Sequence, residues 1–167
     1  MNDKANIDLK KNNVIKFKNN PRGLSRLLAL QILFTDQFFA YQNDVNKIKR
    51  ELIQDYVIDE EVEGVDISSL IDEKFIDQLV IGVKENIDDF DLKIASFLKA
   101  KYSLETIDNV ELQIFRLAMF ELKFLNETPT NVIINEYVDI ASGFFIEKKI
   151  NFINGLINSL AKDLRKP

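Results

Sequence analysis

Cations crowd the start of this chain and carboxylates crowd its middle, and each group suits one kind of recognition chemistry. Residues 1–26 hold Lys4, Lys10, Lys11, Lys16, Lys18, Arg22 and Arg26 against Asp3 and Asp8. Residues 51–91 hold fourteen acids against Lys74 and Lys84. The 167-residue chain has a net charge of −5, so a start of +5 precedes a remainder of −10. Lysines and arginines on a polar, aperiodic stretch can follow a phosphate backbone and release its counterions. Carboxylates on helices suit a basic protein, whose approach they steer. The plainer reading is that both groups are solvated faces.

What the chain lacks narrows the chemistry further. It has no cysteine, which excludes thiolate nucleophiles and thiolate metal sites. It has no histidine, the commonest general base and transition-metal ligand. No phosphate-cradling P-loop, G-x-S-x-G elbow or G-x-G-x-x-G turn occurs. The expectation is a binding protein rather than an enzyme, with no cofactor and no metal. No apolar run approaches the ~20 residues that span a bilayer, and residues 1–17 do not read as a secretory signal. A cytoplasmic, non-membrane protein is expected.

The elements that must position these charges are helices. Residues 1–20 read as a flexible basic arm, and residues 21–167 as one all-helical domain. Pro21 and Gly23 punctuate the arm, Ser25 is a candidate cap, and the first helix reaches about Tyr41. Its apolar face holds Leu27, Leu30, Phe34 and Phe38. A second helix spans Val45 to Ile58, followed by an acidic loop over Asp59–Ser69. Helical period resumes at Asp72 and passes Phe97, with a break at Asp88–Asp91. Asp108 and Glu111 fit a capping box that opens a central helix ending near Leu125. Thr130 is a candidate cap for the next helix, Lys148, Lys149 and Asn151 separate it from the last, and that one ends near Leu164. Arg116, set among apolar residues, needs a carboxylate partner if buried. Gly155, inside the last helix, suggests close helix packing. No strand is expected. The fold class is all-α.

The ordered matches VE..I.R.A.FEL from Val110, P..V.INE.V..A from Pro129 and F.NGL from Phe152 resemble the NusB family of bacterial antitermination factors. SRLLALQILFTDQF, from Ser25, resembles that family's first helix, and the similarity runs from about Arg22 to Leu164. The resemblance implies a NusB-like fold of two small helical bundles sharing one core, fused through the helix that opens near Asp108. It also implies a partnership with ribosomal protein NusE, binding of boxA-type single-stranded RNA, and a place beside elongating RNA polymerase, where termination during ribosomal RNA synthesis is suppressed. Some relatives self-associate, so a homodimer is open. Two alternatives are an RNA-binding domain serving ribosomal RNA processing or modification, and a helical interaction module without an RNA role.

The resemblance places RNA on Arg22, Arg26, Phe34 and Phe152 and on the loop positions held here by Lys148 and Lys149, while Lys16 and Lys18 are expected to compensate from the arm for the basic groups missing at Gly23 and Leu24. It places NusE on Glu105, Glu111 and Glu121. The rings could stack on unpaired bases, although Phe34 also lies on the apolar face. Glu111 has a rival role in the capping box and Glu121 a rival role in an internal ion pair. The family pattern is broken at Gly23 and Leu24, where further basic groups are usual, at Phe145, where a glycine is usual, and by the two lysines at 148 and 149.

Overall fold

A computed structural model describes residues 17, 19–39, 44–58, 67–99 and 101–166. These hold helices α1 (Pro21–Phe38), α2 (Val45–Ile58), α3 (Glu73–Glu85), α4 (Ile87–Phe97), α5 (Asn109–Phe124), α6 (Thr130–Ala141) and α7 (Glu147–Leu164), with a 3-10 turn at Ile67–Leu70 and no strand among the described residues. The chain divides into two compact units, residues 1–78 and 79–167. The division falls within α3. α5, expected to join two bundles, belongs wholly to the second unit.

In the first unit, α1 starts at Pro21, whose missing N–H costs nothing at a first helical position. Its cap is Asn20 and not Ser25. Asn20 Oδ1 accepts from the Gly23 N–H at 2.9 Å. Gly23 is required there: an added Cβ would come within 2.6 Å of both Asn20 and the Phe17 ring. The departure from a basic residue at this position therefore follows from the buried Phe17 lying against it. Ser25 is buried one turn in and serves another helix. Its hydroxyl donates to the Pro21 carbonyl at 2.9 Å and accepts from the Asp72 N–H at 3.0 Å, just before α3. α2 packs on α1 and on the 3-10 turn. It buries Ile48, Tyr56 and the stem of Lys49, whose ammonium reaches Asp77 at 2.6 Å and Glu73 at 3.6 Å.

The second unit is built on α5, which buries every residue from Glu111 to Leu122. α5 packs against α6 and α7, α6 against α7, and α4 against both α5 and α7. Each fully buried Leu, Ile or Phe on it contributes about 1.5–3 kcal/mol. Both ends of so buried a helix need internal partners for their backbone groups. At the start, Asp108 accepts from the Val110 N–H at 2.8 Å and Glu111 accepts from the Asp108 N–H at 3.4 Å, closing the expected capping box. At the end, the Arg165 guanidinium donates to the carbonyls of Glu121 (3.1 Å), Leu122 (2.8 Å), Leu125 (2.8 Å) and Thr128 (2.6 Å).

The buried Arg116 has its carboxylate: Nε and Nη2 grip Asp91 at 2.8 and 2.6 Å. Gly82 on α3 faces Phe120 so closely that a Cβ would sit 1.9 Å from the ring's Cε2 atom.

Several boundaries differ from expectation. The break between α3 and α4 is at Asn86, and Asp88 and Asp89 lie in the first turn of α4, where carboxylates favour the positive helix end. Pro129, not Thr130, precedes α6 as its cap residue. Lys148, Lys149 and Asn151 are not a separating loop, because α7 starts at Glu147 and takes them into its first turns. Gly155 is not at a helix contact: a Cβ there would meet nothing within 4 Å. The arm's Lys16 and Lys18, Tyr41 and most of the acidic loop lie outside the described residues.

Candidate nucleic-acid interface

The expected cations of the first unit part company. Arg22, in the first turn of α1, is exposed, with its guanidinium 4.8 Å from the centre of the Phe75 ring. Arg26, one turn on, is 2% exposed and lies 5.3 Å from the same ring centre. A guanidinium so enclosed cannot follow a strand of phosphates. Arg26 is therefore corrected from a contact residue to an internal one, because α1 is buried around its whole circumference from Gly23 to Leu30. Phe34 is 36% exposed, neither wholly core nor a free platform.

In the second unit, α7 presents Lys148 outward, exposed and without an ion pair among the described residues. Lys149 turns inward, its ammonium 2.9 Å from Glu111 Oε2 and 5.9 Å from the centre of the Phe152 ring. Phe152 is half-buried and stacks on Tyr102 at 4.9 Å, with an interplanar angle of 32°. Phe115 packs against Phe152 in a T-shaped pair, ring centres 6.3 Å apart. The Lys101 ammonium lies 5.2 Å from the centre of the Tyr102 ring. The two rings form a surface on which an unpaired base could stack, with Lys101 and the exposed Lys148 as the cations left to hold phosphates, since Lys149 is engaged by Glu111. Tyr102 and Lys101 were missed in the sequence. The available signal was an aromatic residue beside a lysine in an otherwise polar connection.

The three carboxylates also separate. Glu105 is exposed in the turn before α5. Glu111 and Glu121 are 0% exposed. Glu111 is occupied by the α5 cap and by Lys149, while Glu121 Oε1 accepts from the Tyr137 hydroxyl at 2.6 Å. Neither offers a carboxylate to another protein. The correction has a simple cause: α5 is buried around its circumference, so a charge at any angle on it faces inward.

The NusB family model matches residues 24–162. The chain belongs to the NusB family. The transcription antitermination protein NusB of Caulobacter vibrioides is 35% identical over 87% of this chain and 95% of its own length. The protein of the same name from Geobacter sulfurreducens is 34% identical over 86% of this chain and 95% of its own. Among solved structures, T. maritima NusB superposes with a TM-score of 0.69 at 28% identity, covering 88% of this chain and 95% of that one. A crystal structure of antitermination factors NusB and NusE in complex with dsRNA has the same fold, with a TM-score of 0.66 at 20% identity, covering 86% of this chain and 97% of that one. The all-α NusB fold expected from the motif order is thus present.

As a member of this family, the chain departs from the expected pattern where its own packing differs. The lysine at 149 neutralises the buried Glu111, and the glycine at 23 makes room for Phe17. No helix among the described residues is long and apolar enough to cross a membrane. Nor do those residues gather three or more acidic side chains into a group that could hold a metal ion.

Proposed function

We propose that this chain is a transcription antitermination factor that binds boxA-type single-stranded RNA together with ribosomal protein NusE. The observation that carries the reading is the near full-length similarity to proteins named for transcription antitermination. The geometry supports it locally: exposed Lys148 and the Tyr102–Phe152 pair offer charge and stacking within one unit. In the first unit the RNA contacts are Arg22 and, to the extent it is exposed, Phe34. Lys16 and Lys18 would add phosphate contacts from the arm. Glu105 is the carboxylate that remains for NusE. Factor, NusE and RNA together would sit beside elongating RNA polymerase in the cytoplasm and suppress termination in ribosomal RNA operons. No step is catalytic. Two weak RNA surfaces joined together hold the strand more tightly than either alone.

Fluorescence anisotropy of a labelled boxA RNA, titrated with this protein in the presence and absence of NusE, tests the reading. NusE should tighten binding. If Arg22, Lys148, Lys16 and Lys18 neutralise four phosphates, log K should fall with log salt at a slope of about −2.8. Arg22→Ala should weaken RNA binding and reduce that slope by about 0.7. A helical interaction module without an RNA role would show no saturable RNA binding. A homodimer that uses the same surface should dissociate as RNA is added.

A further inference from the structure

The outer face of α7 carries a glycine that the chain itself does not explain. Gly155 is exposed in mid-helix, where alanine is the more favourable residue, and a side chain there would strike nothing within 4 Å. It lies in a surface groove of about 360 Å³ lined by Phe97, Lys99, Asn151, Phe152 and Ser159. One edge of that groove is therefore the Phe152 ring already stacked on Tyr102.

The groove lies on a longer stripe. Lys148, Asn151, Gly155, Ser159 and Lys162 follow at three- and four-residue steps and are all exposed. At 1.5 Å per residue the stripe is about 21 Å long. Lys99, Lys148 and Lys162 make no ion pair with any described residue. Glu147 adds one exposed carboxylate at the start. Asp163, beside the far end, is engaged by Lys93 and Lys166. The stripe therefore has lysines at both ends, a third at its edge, and small or amide groups between them.

We propose that this face is a continuation of the RNA track, resting on the antitermination reading above: a single strand passes from Phe152 across Gly155 toward Lys162. The missing side chain lets a sugar–phosphate backbone approach the helix closely. Lys99 and Lys162 hold phosphates, and the Asn151 amide supplies a donor and an acceptor at a base or sugar edge. The Ser159 hydroxyl donates to the Gly155 carbonyl at 2.9 Å, which leaves its oxygen lone pairs able to accept. A ribose 2′-hydroxyl is the donor that such a site takes, so the groove should favour RNA over DNA.

The test uses the full chain, a labelled single-stranded boxA RNA extended by several nucleotides at either end, and the same oligomer with 2′-deoxy sugars. Gly155→Ala should fold as well as the parent or better. Gly155→Gln has the same room for its Cβ but fills the groove, and should weaken extended RNA roughly tenfold while its circular dichroism melt is retained. Lys162→Ala should weaken the RNA and lower its salt slope by about 0.7. The deoxy oligomer should lose less than the RNA does on Gly155→Gln.

If the unmodified chain binds no RNA, the antitermination reading fails and this proposal with it. If that chain binds RNA while Gly155→Gln and Lys162→Ala bind equally well with unchanged slope, the groove proposal alone fails. Loss of NusE binding in Gly155→Gln, with RNA affinity intact, would make the groove a protein-docking surface and overturn the proposal.

Discussion

Replacing Arg165 by alanine should be the most damaging single change near the end of the chain, although the residue touches none of the expected contact surface. Its guanidinium donates to four backbone carbonyls, from Glu121, Leu122, Leu125 and Thr128, and to the Thr130 hydroxyl at 3.2 Å. It thereby ties the last turn of α7 to the end of α5 and the start of α6. A hydrogen bond to a charged group nets about 1.5–3 kcal/mol, so four would give at least about 6 kcal/mol if they were independent. They are not independent, because one guanidinium is desolvated once, and carbonyls uncovered by truncation can turn to water. Halving the sum leaves about 3 kcal/mol. For a chain of this size that corresponds to a fall in melting temperature of roughly 6–12 °C. The chain has no tryptophan, so far-UV circular dichroism is the probe, by heat and by urea. Arg165→Lys should recover less than half of the loss, since one ammonium cannot span carbonyls that a planar fork reaches from two sides. Lys166→Ala, with a side chain 72% exposed, is the control and should leave the melt unchanged. A fall of less than 2 °C in Arg165→Ala, or full rescue by lysine, would refute the reasoning.

Three other perturbations test the internal charges. Asp91→Ala removes the carboxylate gripped by Arg116 and should cost about 3 kcal/mol in urea unfolding; adding Arg116→Met should recover part of it, because the cost belongs to the stranded cation. Glu111→Ala should lower stability by about 2 kcal/mol through the lost cap and the lost Lys149 partner. Its effect on NusE should only follow the unfolded fraction, and a specific loss of NusE binding with an unchanged melt would show that burial has been misjudged. The Asp163 carboxyl is held below its ordinary range chiefly by the hydrogen bond from Lys93, with burial opposing and the charges of Lys93 and Lys166 assisting. A lowered carboxyl value means stability that is present above the unfolded value near pH 4 and is lost as the pH falls below it. The melting temperature of Asp163→Asn should therefore decline less than the parent's between pH 6 and pH 3.

The helices were legible because they are written locally. The apolar period placed α2 at Val45–Ile58 and closed α7 at Leu164, and the Asp108–Glu111 spacing gave the cap that α5 has. Arg116 also declared itself, since a guanidinium among apolar residues has few tolerable states. What escaped is what depends on distant partners. Ser25 resembles a helix cap, but it serves Asp72, 47 residues away. Lys149 resembles a nucleic-acid contact, but its ammonium is drawn to Glu111, 38 residues away. Lys148 and Lys149 look like loop residues because charge interrupts the apolar period there, yet α7 has already begun. Burial around α5 could not be read from Glu111 and Glu121 either. A carboxylate at helical spacing has the same letter whether it meets water or a tyrosine hydroxyl.

The contact between Gly82 and Phe120 has a consequence for how sequences of this kind can drift. With the ring occupying the space of a methyl group, even alanine at 82 would demand that position 120 shrink or swing its side chain aside, toward Phe124 at 5.2 Å. A smaller residue at 120 without a larger one at 82 would instead open a void beneath α3. Neither step is neutral by itself, so the two sites should change as a pair. Replacing one of them alone with a relative's residue is then a poor guide to what that residue does in its own setting.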